Sequence, residues 1–195
     1  MARVAEVQRK TAETDIRVRV DLDGSGEGSI STGVGFFDHM LQQLAKHSLM
    51  DVQIEAKGDL HIDPHHTVED VGICLGSAIK QALGKKEGIR RFASKTVPMD
   101  EALVLTSIDV SGRGSLTYDL RIEQDTIGEM PTDLVLEFFK SLATNAGVTV
   151  HIRKLSGENP HHTVEAAFKS FAQSLQEAVS LSERVKGTPS TKGTL

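Results

Sequence analysis

Among its 195 residues the chain has a single cysteine, no tryptophan and one tyrosine. One cysteine excludes an intrachain disulfide, and Cys74, inside the apolar run VGICLGSAI, reads as a small buried hydrophobe. The shortage of large aromatics leaves a core of aliphatic side chains and phenylalanine. No apolar run approaches the roughly 20 residues that span a bilayer, and MARVAEVQRK lacks the apolar segment of a secretory signal. Positive charge is short as well: 22 Lys and Arg against 27 Asp and Glu give a net charge of −5. That balance argues against nucleic acid or an anionic membrane as partner, while leaving room for a local basic pocket around a small phosphorylated ligand. The expectation is a cytoplasmic protein whose length suits one domain, or two small halves around a shared core.

What the chain does have is a duplication. DPHHTVED (63–70) recurs as NPHHTVEA (159–166), with an offset of 96 between His65 and His161. The same register carries back to the strand-like VQIEA (52–56) and VTVHI (148–152). HMLQQLA (39–45) aligns with EFFKSLA (137–143) at offset 98, which puts a two-residue loop difference between helix and strand. ETDIRVRVDLDG (13–24) aligns with EALVLTSIDVSG (101–112) at offset 88. Ile16, Val18, Val20 and Leu22 alternate with polar residues, as in a half-buried strand. The turn sequences DGSGEG and SGRG predict β-hairpins. Helical spacing covers 36–46, then a stretch from the HH motif to about Leu83, ended by Gly84 and Gly88, and its second copy over about 161–179. The expected fold is α+β: an internal duplication of two β-β-α-β-α-like halves, with helices packed against mixed sheets. We expect a single domain, 1–195, made of repeats at about 1–92 and 93–186 with a C-terminal loop at 187–195.

The duplicated motif supplies metal-ligand chemistry. On a helix, residues four apart share a face and adjacent residues diverge by about 100°. His65 and Glu69 therefore suit one ion, and His161 and Glu165 another. His66 and His162 point elsewhere; if the halves are related by a pseudo-twofold, each crosses to the other half's ion. His39 and Glu137 occupy matching places on the aligned helices and complete the set. Imidazole and carboxylate without thiolate suit Mn, Fe, Co or Zn, and a mixed N/O site leans toward Mn or Fe. A single HHxxE string is weak evidence, since paired histidines often cap or decorate a surface. Two copies in register are much stronger, because symmetric packing repeats apolar positions rather than imidazoles. Asp70, replaced by Ala166 in the second copy, lies outside the ligand set and reads as a partner that orients a ligand. His47 reads as a helix C-terminal charge or cap that is still placed to touch a ligand, and His61 and His151 as strand-side residues. Taken by composition, KGTPSTKGTL is a disordered tail.

TGVGFFDHML, DPHHTVEDVGICLG, GIRRF, PMDEAL, IDVSGRG, GENPHHTVEAAFKSFAQSL and PSTKGTL together resemble the imidazoleglycerol-phosphate dehydratase family in its monofunctional form, in order and over nearly the whole chain. The resemblance implies dehydration of D-erythro-imidazoleglycerol phosphate to imidazoleacetol phosphate in histidine biosynthesis, through an imidazolate held by two Mn2+ per active site. It implies one ion on His39, His66, His161 and Glu165, and the other on His65, Glu69, Glu137 and His162. Many members carry His where this chain has Glu137; others carry Glu. The phosphate of the substrate would meet Gln43, Arg91, Arg113, Lys169, Ser190 and Lys192, which turns the tail from a disordered end into a binding loop. Glu13, from the ETDI segment, would be the catalytic carboxylate that moves protons, with Glu101 as its counterpart in the repeat and the Asp100–Glu101 pair as a further contributor. The family's 24-subunit cage, built from trimers with sites between subunits, implies a homo-oligomer in which the crossover joins different chains. The ligands alone would also permit a dinuclear metallohydrolase acting on a phosphorylated small molecule, or a metal-storage cage. Storage leaves Arg91, Arg113 and the tail without a use.

Overall fold

The computed structural model describes residues 2–195. The first half runs β1 (Val4–Lys10), β2 (Thr14–Asp21), β3 (Gly28–Ser31), α1 (Gly35–Ser48), β4 (Asp51–Gly58) and α2 (His65–Leu83). The second runs β5 (Phe92–Met99), β6 (Ala102–Asp109), β7 (Ser115–Asp119), a short ribbon of β8 (Thr126–Ile127) and β9 (Met130–Pro131), α3 (Leu134–Ala146), β10 (Thr149–Ser156) and α4 (Pro160–Val179). Each half forms a four-stranded mixed sheet, β1-β2-β4-β3 and β5-β6-β10-β7. β2 shows the expected alternation, with Ile16, Val18 and Val20 buried between more exposed neighbours.

Three expectations need correction. Each half opens with a strand, β1 or β5, that the alternation does not announce. Both are edge strands, half-covered, with Ala5 and Val7 or Ala93, Val97 and Met99 turned to the core. The turns DGSGEG and SGRG do not close hairpins. β3 and β7 instead pair in parallel with β4 and β10, so a helix carries each crossover. The hairpin turns are those between β1 and β2 and between β5 and β6, the turns that bear Glu13 and Glu101. Finally, strand pairing places the two-residue difference elsewhere. Val18 pairs with Ile54 and its equivalent Thr106 with Ile152, so the offset is still 98 in β4 and β10. The extra two residues lie after the strand, in loop 59–64 before α2. Identical apolar letters in VQIEA and VTVHI concealed the shift, because a two-residue slip preserves strand alternation.

α2 packs on the first sheet and α4 on the second, while α1 lies along α4 and α3 along α2. The helices meet through Phe37, Phe138, Phe139, Phe168 and Phe171, all buried; Phe138 stacks on Phe168 at 5.3 Å. This aliphatic and phenylalanine core joins both halves. α2 and α3 approach through glycine: a Cβ on Gly76 would sit 2.5 Å from the Leu142 carbonyl oxygen. That approach sets Glu137, in the first turn of α3, on the helix packed against the start of α2.

Candidate active site

The α1–α4 seam gathers one metal-type cluster. His39 from α1 and His161 and Glu165 from α4 place their ligand atoms within 4.8 Å of one another, and among the described residues this is the group of three that converges. Glu165 Oε2 lies 3.4 Å from His39 Nε2 and 3.2 Å from His161 Nε2. The i,i+4 spacing on α4 sets the second distance, and the packing of α1 on α4 sets the first. The Phe36 and His161 rings pack in an edge-type arrangement, centroids 5.1 Å apart. Glu165 is 5% exposed, and its other oxygen, Oε1, accepts from Lys169 Nζ at 2.6 Å. Burial resists the charged form of Glu165, but the Lys169 ammonium and His39 outweigh it and hold the carboxyl below its usual range. One face of the seam thus continues from ligands to a cation.

Two helical stripes face each other beyond that cluster. His39, Gln43 and His47 follow at four-residue steps on α1, and His161, Glu165 and Lys169 on α4. His47 Nε2 meets Gln43 Oε1 at 3.1 Å. Burial, with Lys169 nearby, pushes the His47 imidazole below its ordinary value, so it is held neutral next to the cation. His47 is therefore part of the seam rather than only a helix-end charge.

The other predicted ligands are not gathered within one chain. No ion pair joins His65 to Glu69 among the described residues, and Glu137 pairs with Lys140 at 3.2 Å. By the duplication, His65, Glu69 and Glu137 are the counterparts of His161, Glu165 and His39, on α2 and α3 instead of α4 and α1. His66 lies with Asp59, whose Oδ2 is 3.0 Å from its Nδ1, and with Glu13, whose Oε2 is 3.8 Å away. The Asp59 bond raises the His66 pKa. His162 Nδ1 meets Glu101 Oε2 at 2.8 Å, with Asp100 3.8 Å from the other ring nitrogen. That bond raises His162 and, with the Asn159 N–H donating to Glu101 Oε1 at 2.9 Å, holds the Glu101 carboxyl down to about 2. In both pairs a carboxylate holds Nδ1 and leaves Nε2 as the nitrogen for a metal, the arrangement common around metal-binding histidines. Neither His66 nor His162 crosses to the other half's cluster within this chain.

The predicted phosphate-binding residues fall into two groups. Gln43 and Lys169 sit in the seam. Arg91 donates from Nε to Asp109 Oδ1 at 2.7 Å and from Nη1 to the Pro189 carbonyl at 2.9 Å, tying down the C-terminal segment. Arg113 is exposed, 3.9 Å from the same Asp109. Ser190 accepts from the Lys192 N–H at 3.2 Å, and the Gly88 N–H donates to the Gly187 carbonyl at 2.9 Å. The segment is thus a loop tethered at Gly187 and Pro189, against the reading from composition. Arg91 N–H donates to the Ala178 carbonyl near the far end of α4, nine residue steps along the helix from Lys169, roughly 13 Å of axis. One chain does not bring the two groups together. Sequence reasoning missed Asp59 and Asp109, whose partners His66 and Arg91 lie 7 and 18 residues away, on no shared helix or strand. It placed Asp70 beside a ligand, whereas Asp70 accepts from Arg9 and Thr14. Cys74 is buried, and burial pushes its thiol up to about 11, so it is inert.

Comparison with known proteins accords with this geometry. The family model described as imidazoleglycerol-phosphate dehydratase matches residues 32–175. The chain is 56% identical over 195 residues to the imidazoleglycerol-phosphate dehydratase of Acetivibrio thermocellus, covering 100% of each, and 53% identical over 191 residues to that of Clostridium kluyveri, covering 98% of each. Its fold superposes on the crystal structure of the Staphylococcus aureus dehydratase with a TM-score of 0.84 at 34% identity, covering 92% of this chain and 99% of that one. Against the Pyrococcus furiosus dehydratase the TM-score is 0.83 at 41% identity, with 97% and 100% covered. With the duplicated HHxxE helices, the seam and full-length similarity in agreement, the chain belongs to the imidazoleglycerol-phosphate dehydratase family.

Proposed function

We propose that the chain is the hydro-lyase that converts imidazoleglycerol phosphate to imidazoleacetol phosphate in histidine biosynthesis, working in the cytoplasm as one domain of two repeats in a homo-oligomer. The observation that carries this is the seam, in which His39, His161 and Glu165 converge beside Lys169. The donor set fits Mn2+: two imidazole nitrogens and a buried, ionised carboxylate oxygen face one point. One ion would be held by His39, His161 and Glu165 with His66, the other by His65, Glu69 and Glu137 with His162. His66 and His162 lie apart from these clusters in one chain, which favours their delivery from another copy, as in the 24-subunit cage. Bound manganese supplies Lewis acidity, lowering the pKa of groups that coordinate it.

The chain's own residues have separate tasks. Lys169 and Gln43, with Arg91, Arg113, Ser190 and Lys192 from the C-terminal side, hold the substrate phosphate; guanidinium forks and hydroxyls suit a dianion. Glu13, 55% exposed and 3.8 Å from His66, takes the proton from the substrate carbon at its carboxylate and passes a proton to the departing hydroxyl, which leaves as water; the enol left behind tautomerises to the ketone. The membership shown above favours dehydration over phosphate-ester hydrolysis. The test is turnover by metal-stripped protein with and without added manganese, following imidazoleacetol phosphate. Manganese-dependent product is expected; free inorganic phosphate instead, or no product from folded, loaded protein, overturns the reading.

A further inference from the structure

A buried carboxylate is costly unless it is paired and hydrogen-bonded. Asp70 on α2 is such a group, 6% exposed. It accepts from Arg9 Nε at 2.8 Å and from the Thr14 hydroxyl at 2.5 Å. An ionised carboxylate only accepts, so the Thr14 proton is committed to Asp70. The contact of 3.2 Å between the Thr11 and Thr14 hydroxyls is then donated by Thr11. Thr11 Oγ1 in turn accepts the backbone N–H groups of Glu13, at 3.1 Å, and Thr14, at 3.0 Å. A continuous chain therefore runs from α2 to the peptide of Glu13, anchored at Asp70, one helical turn from His66.

The other half shows that the fold does not require this chain. Arg9 pairs with Ile16 in the sheet as Val97 pairs with Val104, so Arg9, Thr14 and Asp70 correspond to Val97, Ala102 and Ala166. All three counterparts are apolar and buried. There the hairpin turn is held by the Glu101 side chain itself, on His162 and on the Asn159 N–H. In the first half Asp59 takes the corresponding bond to His66, and Glu13 is spared it.

We propose that Arg9, Thr14 and Asp70 are positioning residues, which clamp the Glu13 turn to α2 so that its carboxylate is aimed toward His66 while remaining free to transfer a proton. This rests on the reading of Glu13 above. The test is a cycle on the manganese-loaded protein. The triple variant Arg9→Val, Thr14→Ala, Asp70→Ala transplants the arrangement that already packs in the second half. It is made in the native background and with Glu13→Gln. The expected result is retained assembly and metal, little change in KM, and a fall in kcat on the order of tenfold or more, since small misplacements of a catalytic group are that costly. With Glu13→Gln already present, the triple change should add almost nothing.

An undiminished kcat in the triple variant, with Glu13→Gln slow, overturns the clamp and leaves the Glu13 reading standing. Equal losses in both backgrounds also overturn it, because the network would then act on something other than Glu13. Normal turnover by Glu13→Gln removes both readings. If the triple variant fails to assemble, Thr14→Val breaks only the link between Asp70 and Thr11. A fall in kcat restored by Thr14→Ser supports the clamp, and no fall overturns it.

Discussion

The two halves of the molecule share a scaffold and divide the chemistry. Both place a carboxylate in the first hairpin turn and a histidine pair at the start of the last helix. In the second half the carboxylate, Glu101, is spent on His162 and on the N-terminus of α4. In the first, loop 59–64 is two residues longer and supplies Asp59 to His66, so Glu13 stays exposed, 3.8 Å from His66 and with no side-chain hydrogen bond among the described residues. The difference teaches that one loop residue releases a carboxylate: Asp59, at the place of Gly157, takes the histidine bond that Glu101 makes in the second half. Duplication set the positions of both turn carboxylates, and the loop before the last helix decides which one is free.

The sharpest way to break this comparison is to neutralise the two turn carboxylates separately. Glu13→Gln should keep metal and assembly while kcat falls by roughly 10²–10⁴, the range for a lost general acid or base. Glu101→Gln and Asp59→Asn should behave like each other and unlike Glu13→Gln. Each loosens the Nδ1 partner of a metal-directed histidine, and manganese affinity should weaken by about 10–100-fold. Metal titration alongside single-turnover kinetics separates the classes. A Glu101→Gln protein with native affinity and lost turnover would mean that the halves had not divided their roles.

Much of this was legible in the chain. The repeated HHxxE, with i,i+4 spacing, announced α2 and α4 to within a residue and put His161 beside Glu165, because helical geometry is local. His39 was found by register alone. Edge strands β1 and β5 were not visible, since a strand half-covered on one side carries little hydrophobic signal. Nor were the partners Asp59, Asp109 and Arg9. Their bonds depend on how loops and strands meet, and a lone acidic or basic letter does not say which group it faces. The two-residue shift was misplaced because strand alternation tolerates an even slip.

The helix pairs extend the comparison to stability. α2 meets α3 through Gly72 and Gly76, while α4 has Phe168 and Ala172 at the same places against α1. A Cβ on Gly76 would also lie 2.9 Å from the Ala146 backbone nitrogen, so neither neighbour is a yielding side-chain tip. Gly76→Ala should destabilise by about 1–3 kcal/mol through overpacking. The reverse exchange, Ala172→Gly, should cost roughly 1 kcal/mol from helix propensity alone. Denaturant unfolding of the two variants checks the order. A harmless Gly76→Ala would show that α2 and α3 can separate freely.

The smallest expected effect compares the turns before the parallel strands. Asp51 at the start of β4 accepts the N–H groups of Ser25, at 2.8 Å, and Glu27, at 2.9 Å; its counterpart Thr149 in β10 serves the equivalent turn without charge. The hydrogen bonds from Glu27 and Ser25 hold the Asp51 carboxyl below its ordinary value. A lowered folded-state pKa contributes stability that is present above the unfolded value, about 3.9, and lost as pH falls through the folded one. Asp51→Asn keeps an acceptor oxygen but loses the charge. At neutral pH it should therefore be less stable than the native chain by at most about 1 kcal/mol. That gap should close as the pH is lowered below the ordinary aspartate range, because the native Asp51 then becomes neutral too. The change Thr149→Val, which removes a neutral partner, should leave a gap that does not vary with pH over the same interval. Thermal unfolding of both variants across that interval distinguishes them. A pH-independent gap for Asp51→Asn would mean that the first-half turn, like the second, is held by geometry rather than charge.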